Sequence, residues 1–248
     1  MKKFKYLALS ILVCLSLFLL GIKEVWASVK IEFGVDQSKR IIKLENGGEN
    51  KINPLLAFLE LGICSDKFEF SLLGGMSLTN LESYLLFDQV PISIETNFSD
   101  HKAYAFGGKL NVHIFRISFI KIGALVKVVY YSHYSDKPNE WKIDELAEIV
   151  TNKELIDYIR LIGGLKFSYD FKNISFYLAP VYSDLLNGKL TIEQRAENLL
   201  EGEEVKSFKS KTKLGLLGGI ELCKKFKLKG EFKLLSEKGF LVSVGYRF

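Results

Sequence analysis

The sequence predicts an all-β fold: a closed antiparallel up-and-down transmembrane β-barrel of about ten strands, with eight or twelve as the alternative counts. Three observations predict it. Stretches of about ten residues alternate apolar and polar side chains, the pattern of a strand with one face in lipid and one in a lumen. The segments between these stretches are by turns long and short. Beyond the N-terminal leader, no segment is apolar over the ~20 residues a spanning helix needs.

The leader comes first. Lys2, Lys3 and Lys5 precede an apolar run from Leu7 to Ile22, and Val25-Trp26-Ala27 supplies a small-residue cleavage site. This is the pattern of a secretory signal peptide, and the run, at about 16 residues, is short for a membrane anchor. Residues 1–27 are therefore expected to be removed and residues 28–248 to form the barrel. Losing Lys2, Lys3, Lys5, Lys23 and Glu24 lowers the formal net charge from +5 to about +2. The basic character lies mostly in the leader, so nucleic-acid binding is not implied. Cys64 and Cys223 belong to no CxxC or Cys/His array, which leaves too few ligands for a zinc site. They fall on non-adjacent predicted strands and are expected to be unpaired thiols, or to form a pairing the sequence does not predict. No metal or cofactor is expected.

The strands then follow in order. Segment 28–36 carries Val29, Ile31, Phe33 and Val35 on one face, and 53–64 carries Leu55, Ala57, Leu59, Leu61 and Ile63. Segment 67–76 carries Phe68, Phe70 and Leu72; 102–114 carries Tyr104, Phe106, Leu110, Val112 and Ile114. Segment 117–131 offers Ile120 through Tyr130 at alternate positions, 157–169 offers Ile159 through Tyr169, and 173–183 offers Ile174 through Tyr182. Segments 208–222 and 226–235 do the same with Leu214 to Leu222 and Phe226 to Leu234. In the last, Phe240, Val242, Val244, Tyr246 and Phe248 alternate with Leu241, Ser243, Gly245 and Arg247. Segments 37–52, 77–101, 132–156 and 184–207 are the long connections, and Leu85 to Thr96 could form a further hairpin, either as an extracellular extension or as two more wall strands. Helical spacing of Ile143, Leu146, Ile149 and Val150, and a Thr191/Gln194 capping box, predict short helices over 141–158 and 190–201.

The C-terminal strand, with its alternating apolar residues and terminal Phe248, resembles that of bacterial outer-membrane β-barrel proteins, including the small OmpA/OmpW-like barrels. The resemblance covers the chain after the leader as architecture. It implies a location in the bacterial outer membrane, with outer-membrane lipid and lipopolysaccharide as surroundings and a monomeric state. It also implies that Phe240, Val242, Val244, Tyr246 and Phe248 act as the signal read by the barrel-assembly machinery. Short turns would face the periplasm and long connections the exterior.

The non-lipid face collects the charge. Glu60, Glu69, Lys109, Lys121, Lys127, Arg160, Lys166, Glu221, Lys229, Glu231 and Arg247 are expected to form a lumen charge network, with Lys30, Glu32, His113, Lys213 and Lys227 on the same face. Buried charges must pair, and ten strands lie near the size at which side chains fill the interior. The readings are thus a structural or adhesion-like barrel, or a narrow pore favouring anions. Tyr104, Tyr130, Tyr131, Tyr169, Tyr182 and Tyr246 suit interfacial girdles. The Gly-Gly pairs at 74–75, 107–108, 163–164 and 218–219 lie inside strands, where they permit bending or admit a bulky neighbour. Pro180 within a strand would cost a ladder hydrogen bond.

A lipid- or peptide-hydrolysing barrel enzyme is the alternative class, and a soluble exported β-protein a third. His133-Tyr134-Ser135 is similar to the His-x-Ser of outer-membrane lipid A deacylases, but Asp136 stands where that family has Asn. A serine nucleophile needs a base within ~3 Å, and His133 and Ser135 are the candidates. Asp100-His101 is similar to the Asp/His pair of ten-stranded outer-membrane proteases, whose second pair of aspartates has no counterpart here.

Overall fold

The computed structural model describes residues 28–45, 47–86, 93–143, 146–196, 200–223 and 225–248; the expected signal peptide lies outside them. Every regular element among these residues is a strand: β1 (Ser28–Leu44), β2 (Glu49–Cys64), β3 (Phe68–Leu86), β4 (Ser93–Ile117), β5 (Ile120–Ile143), β6 (Leu146–Phe171), β7 (Ile174–Ala196), β8 (Leu200–Ser210), β9 (Leu214–Cys223), β10 (Phe226–Leu234) and β11 (Lys238–Arg247). All pairings are antiparallel.

Sequence neighbours pair around the ring, and β1 closes it on β11 from Lys30↔Arg247 to Lys39↔Lys238. β8 and β9 are one strand broken at 211–213. The result is a closed ten-strand barrel with an unusual upper edge. The β10–β11 hairpin is short and turns at Leu235-Ser236-Glu237. Above it β8 pairs with β7 on one side, and with β1 on the other through Ile42↔Ser210 to Leu44↔Phe208. The wall thus counts ten strands at its lower end and eight at its upper end.

The alternation read from the sequence holds in three dimensions. On β1, Lys30, Glu32, Asp36, Ser38, Arg40, Ile42 and Leu44 are buried inward, while Val29, Phe33 and Val35 are exposed outward. The same holds for Leu55, Leu59 and Leu61 on β2 and for Phe240, Val242, Val244 and Tyr246 on β11. Leu55 to Ile63 spans nine residues, matching the 9–11 that cross a bilayer as a tilted strand. Tyr104, Tyr169, Tyr182 and Tyr246 face outward toward the ends of this belt. Tyr131 does not: it is fully buried inside the barrel and belongs to no girdle.

Two other expectations are corrected. The long connections are mostly ladder. β5 and β6 stay paired up to Ile143↔Leu146, and β3 and β4 up to Leu86↔Ser93. The described residues of Leu85 to Thr96 therefore lengthen an existing hairpin, the extension that is one of the two expected forms, and add no wall strands. Over 141–158 and 190–201, where helices are expected, the described residues are likewise strand. Once two strands are in register, adding a pair extends an existing ladder, whereas a short helix carries a separate nucleation cost.

Pro54 and Pro180 each sit at a gap in pairing on one side and stay paired on the other, Pro54 with Thr79 and Pro180 with Leu216. β6 pairs with β7 at Gly164↔Val181 and again at Phe167↔Leu178, skipping Ala179 and Pro180. β1 pairs with β2 at Gln37↔Leu55 and Arg40↔Ile52, skipping Pro54. The missing N–H is thus accommodated where the ladder lapses on one side.

The glycines at 218 and 219 show why the pairs recur. A Cβ on Gly218 would collide with the Phe232 ring outside, and one on Gly219 would lie 2.7 Å from the Tyr177 ring inside. Gly74, by contrast, has nothing within 4 Å. Gly219→Val is expected to destabilise the barrel by about 1–3 kcal/mol through overpacking, and Gly74→Val by less than about 0.5 kcal/mol. Urea unfolding of the protein refolded in lipid vesicles measures both.

Candidate functional site

Strand parity sends one residue in two inward, and apolar lipid excludes charge from the other face at ~2–4 kcal/mol near the midplane. The charges therefore accumulate in the lumen, where they form two ionic layers. In the lower one Lys30, 2% exposed, is surrounded by carboxylates. Its Nζ lies 2.9 Å from Glu32, 2.5 Å from Glu60 and 2.5 Å from Glu69. Lys109 reaches Glu60 at 3.3 Å and Glu69 at 3.2 Å. Around them Lys166 pairs with Glu221 at 3.1 Å and Lys229 with Glu231 at 2.8 Å. Ser71 donates to Glu60 at 2.6 Å and Tyr177 to Glu231 at 2.6 Å; Ser243 donates to Glu32. Glu32, Glu60 and Glu69 are close enough to hold a cation, and the Lys30 ammonium stands at the centre they would use.

The second layer lies toward the upper edge. Asp36 accepts from Lys233, from Lys127 at 3.3 Å and from Arg160 at 3.4 Å. Glu237 reaches in from the β10–β11 turn and binds Arg40 at 2.8 Å and Arg160. Arg40 also donates to Ser210 at 2.8 Å and Ser183 at 2.5 Å, which ties β8, β7 and the turn to β1 where the wall narrows. Each of these seven carboxylates has a cation within 4.0 Å, and nine cations take part. Between the layers lies a cavity of only ≈ 40 Å³, bounded by residues such as Lys127, Tyr177 and Glu231. That is room for about three waters.

Above the ions the filling is apolar. Tyr131 and Tyr158 stack with centroids 4.8 Å apart, and His133 stacks on Tyr158 at 5.6 Å. Phe208 meets Tyr158 edge-on at 6.1 Å. Ile42, Leu44, Ile52, Leu56, Ile156, Leu185 and Leu190 pack around these rings as one buried cluster. Outside the belt, at the break between β8 and β9, Lys211 donates to Glu49 at 2.8 Å, and that bond holds the Glu49 carboxyl below its usual range.

Several sequence expectations find their places here. Glu60, Glu69, Lys109, Lys127, Arg160, Lys166, Glu221, Lys229 and Glu231 are brought together in the two layers. Lys121 and Arg247 are not: Lys121 pairs with Asp170 at 2.8 Å at the lower mouth, and Arg247 is exposed there, donating to Ser28. Lys213 pairs with Asp184 at 2.7 Å at the break between β8 and β9. Sequence reading missed Asp36, Arg40, Lys233 and Glu237. Parity along β1 and β10 would have found the first three. Glu237 carries no sequence signal, because it sits in a turn whose tip happens to bend inward. Cys64 is buried and free, and the side chain of Cys223 lies outside the described residues.

Of the enzyme candidates, His133 has a described side chain. His133 is fully buried among the rings, with Nε2 on Thr79 Oγ1 and Nδ1 3.3 Å from the Ile156 carbonyl. The side chains of Ser135, Asp100 and His101 lie outside the described residues.

At the lower end the lumen opens into a basin of ≈ 970 Å³. Its wall includes Lys30, Glu69, His113, Lys166, Glu221 and Lys227 inside, and Asp66, Arg116, Lys225 and Arg247 at the rim.

No protein-family model and no curated protein matches the chain. Among solved structures it is similar to the translocator domain of the autotransporter NalP from Neisseria meningitidis, with 8% identity over 100% of this chain and 97% of that one, TM-score 0.47. It is also similar to a major outer-membrane protein of Thermus thermophilus, with 11% identity over 90% of this chain and 100% of that one, TM-score 0.43. The outer-membrane protease OmpT of Escherichia coli aligns with 11% identity over 90% of this chain and 96% of that one, TM-score 0.43.

Lys30→Met would leave Glu32, Glu60 and Glu69 around an apolar side chain. A loss of about 3–5 kcal/mol in unfolding free energy is expected, because removing one partner strands buried charge. Adding Glu60→Gln and Glu69→Gln should recover much of it. Urea midpoints of the single and triple variants in vesicles check both.

Proposed function

We propose that this protein is a small, monomeric outer-membrane barrel of the OmpA/OmpW-like kind that works as a closed scaffold. In this role it presents long β-hairpins at the cell surface, as a structural or adhesion-like protein does. One observation carries the reading: the lumen is filled at three successive levels, by two ionic layers and by the Tyr131-His133-Tyr158-Phe208 packing. The belt of outward apolar residues suits lipid. Both described ends of the barrel chain, Ser28 and Phe248, lie at the short-turn end, which in an exported barrel is the periplasmic one.

The exterior then holds the far ends of β3–β4, β5–β6 and β7–β8. Beyond Tyr134, β5 continues nine residues to Ile143, about 30 Å of strand at ~3.3 Å per residue. That reach is unnecessary for closing a barrel and suits a surface that meets something outside. The outward row Phe240, Val242, Val244, Tyr246 and Phe248 on the closing strand supports the expected assembly signal. The engagement of both His133 nitrogens supports a non-enzymatic role.

Planar-bilayer recording of the refolded protein, with folding verified by the mobility difference between boiled and unboiled samples, tests the reading. No steady current is expected. A steady anion-selective current would replace the scaffold with a pore. A second check is protease treatment of intact cells: cleavage is expected within 136–153, leaving the barrel folded, and full resistance there would argue against surface display.

A further inference from the structure

The basin at the short-turn end is a dead end, because the ionic layers close the lumen above it. Its ≈ 970 Å³ falls in the range of small-ligand sites. Its charges are unevenly satisfied. Lys30, Lys166 and Lys121 are held by Glu69, Glu221 and Asp170. Arg116 donates from Nε to the Ser118 carbonyl and Arg247 from Nε to Ser28, which leaves the outer nitrogens of both guanidinium groups without a described protein acceptor. Among the described residues, no carboxylate lies within 4.0 Å of Arg116, Lys225 or Arg247, and Asp66 and the last residue, Phe248, share the wall with them.

At the back of the basin stands Lys227. Its ammonium is 3.7 Å from Glu69, 3.8 Å from Glu32 and 3.8 Å from Glu221. Those distances give Coulomb attraction without a described hydrogen bond, so Lys227 is balanced by the acids around it and closes the back of the basin. The three carboxylates already accept from Lys30, Lys109 and Lys166.

We infer that this basin binds a small multivalent anion, a polycarboxylate or a phosphate ester, with Arg116, Lys225 and Arg247 gripping it at the rim. Bidentate guanidinium contacts suit either oxyanion. The size and the concave wall argue for a small molecule over a strand or helix of a partner.

Isothermal titration calorimetry of the refolded full barrel in a zwitterionic detergent, with citrate in one arm and pyrophosphate in the other, tests this. Saturable one-to-one heat is expected with at least one of them, and the arm that binds names the class. The affinity should fall at least tenfold in Lys225→Gln/Arg247→Gln, whose substitutions lie at an exposed rim, and should weaken as salt rises. Lys211→Gln, which removes a cation at the opposite end, should leave it unchanged. No saturable heat in either arm, or equal affinity in the rim double variant, would overturn the proposal. The readout is heat, so its failure is distinct from a barrel that conducts.

Discussion

Inside hydrocarbon no water is available to a bare N–H or C=O, so a chain that crosses as strands must pair every one of them within itself. The rest of this structure depends on that constraint. It requires β1 to find β11, and it explains why Pro54 and Pro180 fall where the ladder already lapses on one side. It also explains the step in the wall. Where the β10–β11 hairpin ends, β1 would face the interior of the membrane or its edge unpaired, and β8 leans across to take the open positions from Ile42 to Leu44.

Closure in turn sets the width of the lumen, and the width decides what fills it. A ring of eight to ten strands has space for side chains and little else. Lipid has already excluded charge from the outer face, so the inward positions carry lysine, arginine and glutamate in a place with little water. Such groups are tolerated only when paired, which is the state of the seven carboxylates and nine cations found there. The narrowing from ten to eight strands coincides with the change from ionic to aromatic filling. Arg40 and Glu237 sit at that boundary and hold the inserted turn in place. A filled lumen leaves the two ends as the surfaces at which such a barrel can act: tall hairpins at one, a shallow cationic basin at the other.

The expected helices show how a local signal is overridden. Thr191 and Gln194 form a sound capping pattern, and Ile143, Leu146, Ile149 and Val150 recur at helical spacing. Both segments are flanked by strands already aligned by the wall, and each further pair adds hydrogen bonds at small entropic cost. The ladder therefore runs on past the belt, to Ile143↔Leu146 and to Ala196↔Leu200.

What the sequence determined by itself was the set of consequences of period two: an antiparallel barrel, which residues face lipid, and which charges meet in the lumen. Those follow from alternation, and alternation is written residue by residue. Glu60, Lys109, Arg160 and Glu231 were legible in this way, and Asp36 and Lys233 obey the same parity. Tertiary structure decided the rest, because it depends on partners far apart in the chain. Glu237 becomes a lumen residue only because its turn ends below β8. Tyr131 and His133 lie in the interior of the narrow end only because β8 closes the ring above a short hairpin. The basin exists only because Arg116, Lys225 and Arg247, from three different strand ends, are carried around the circle to one mouth.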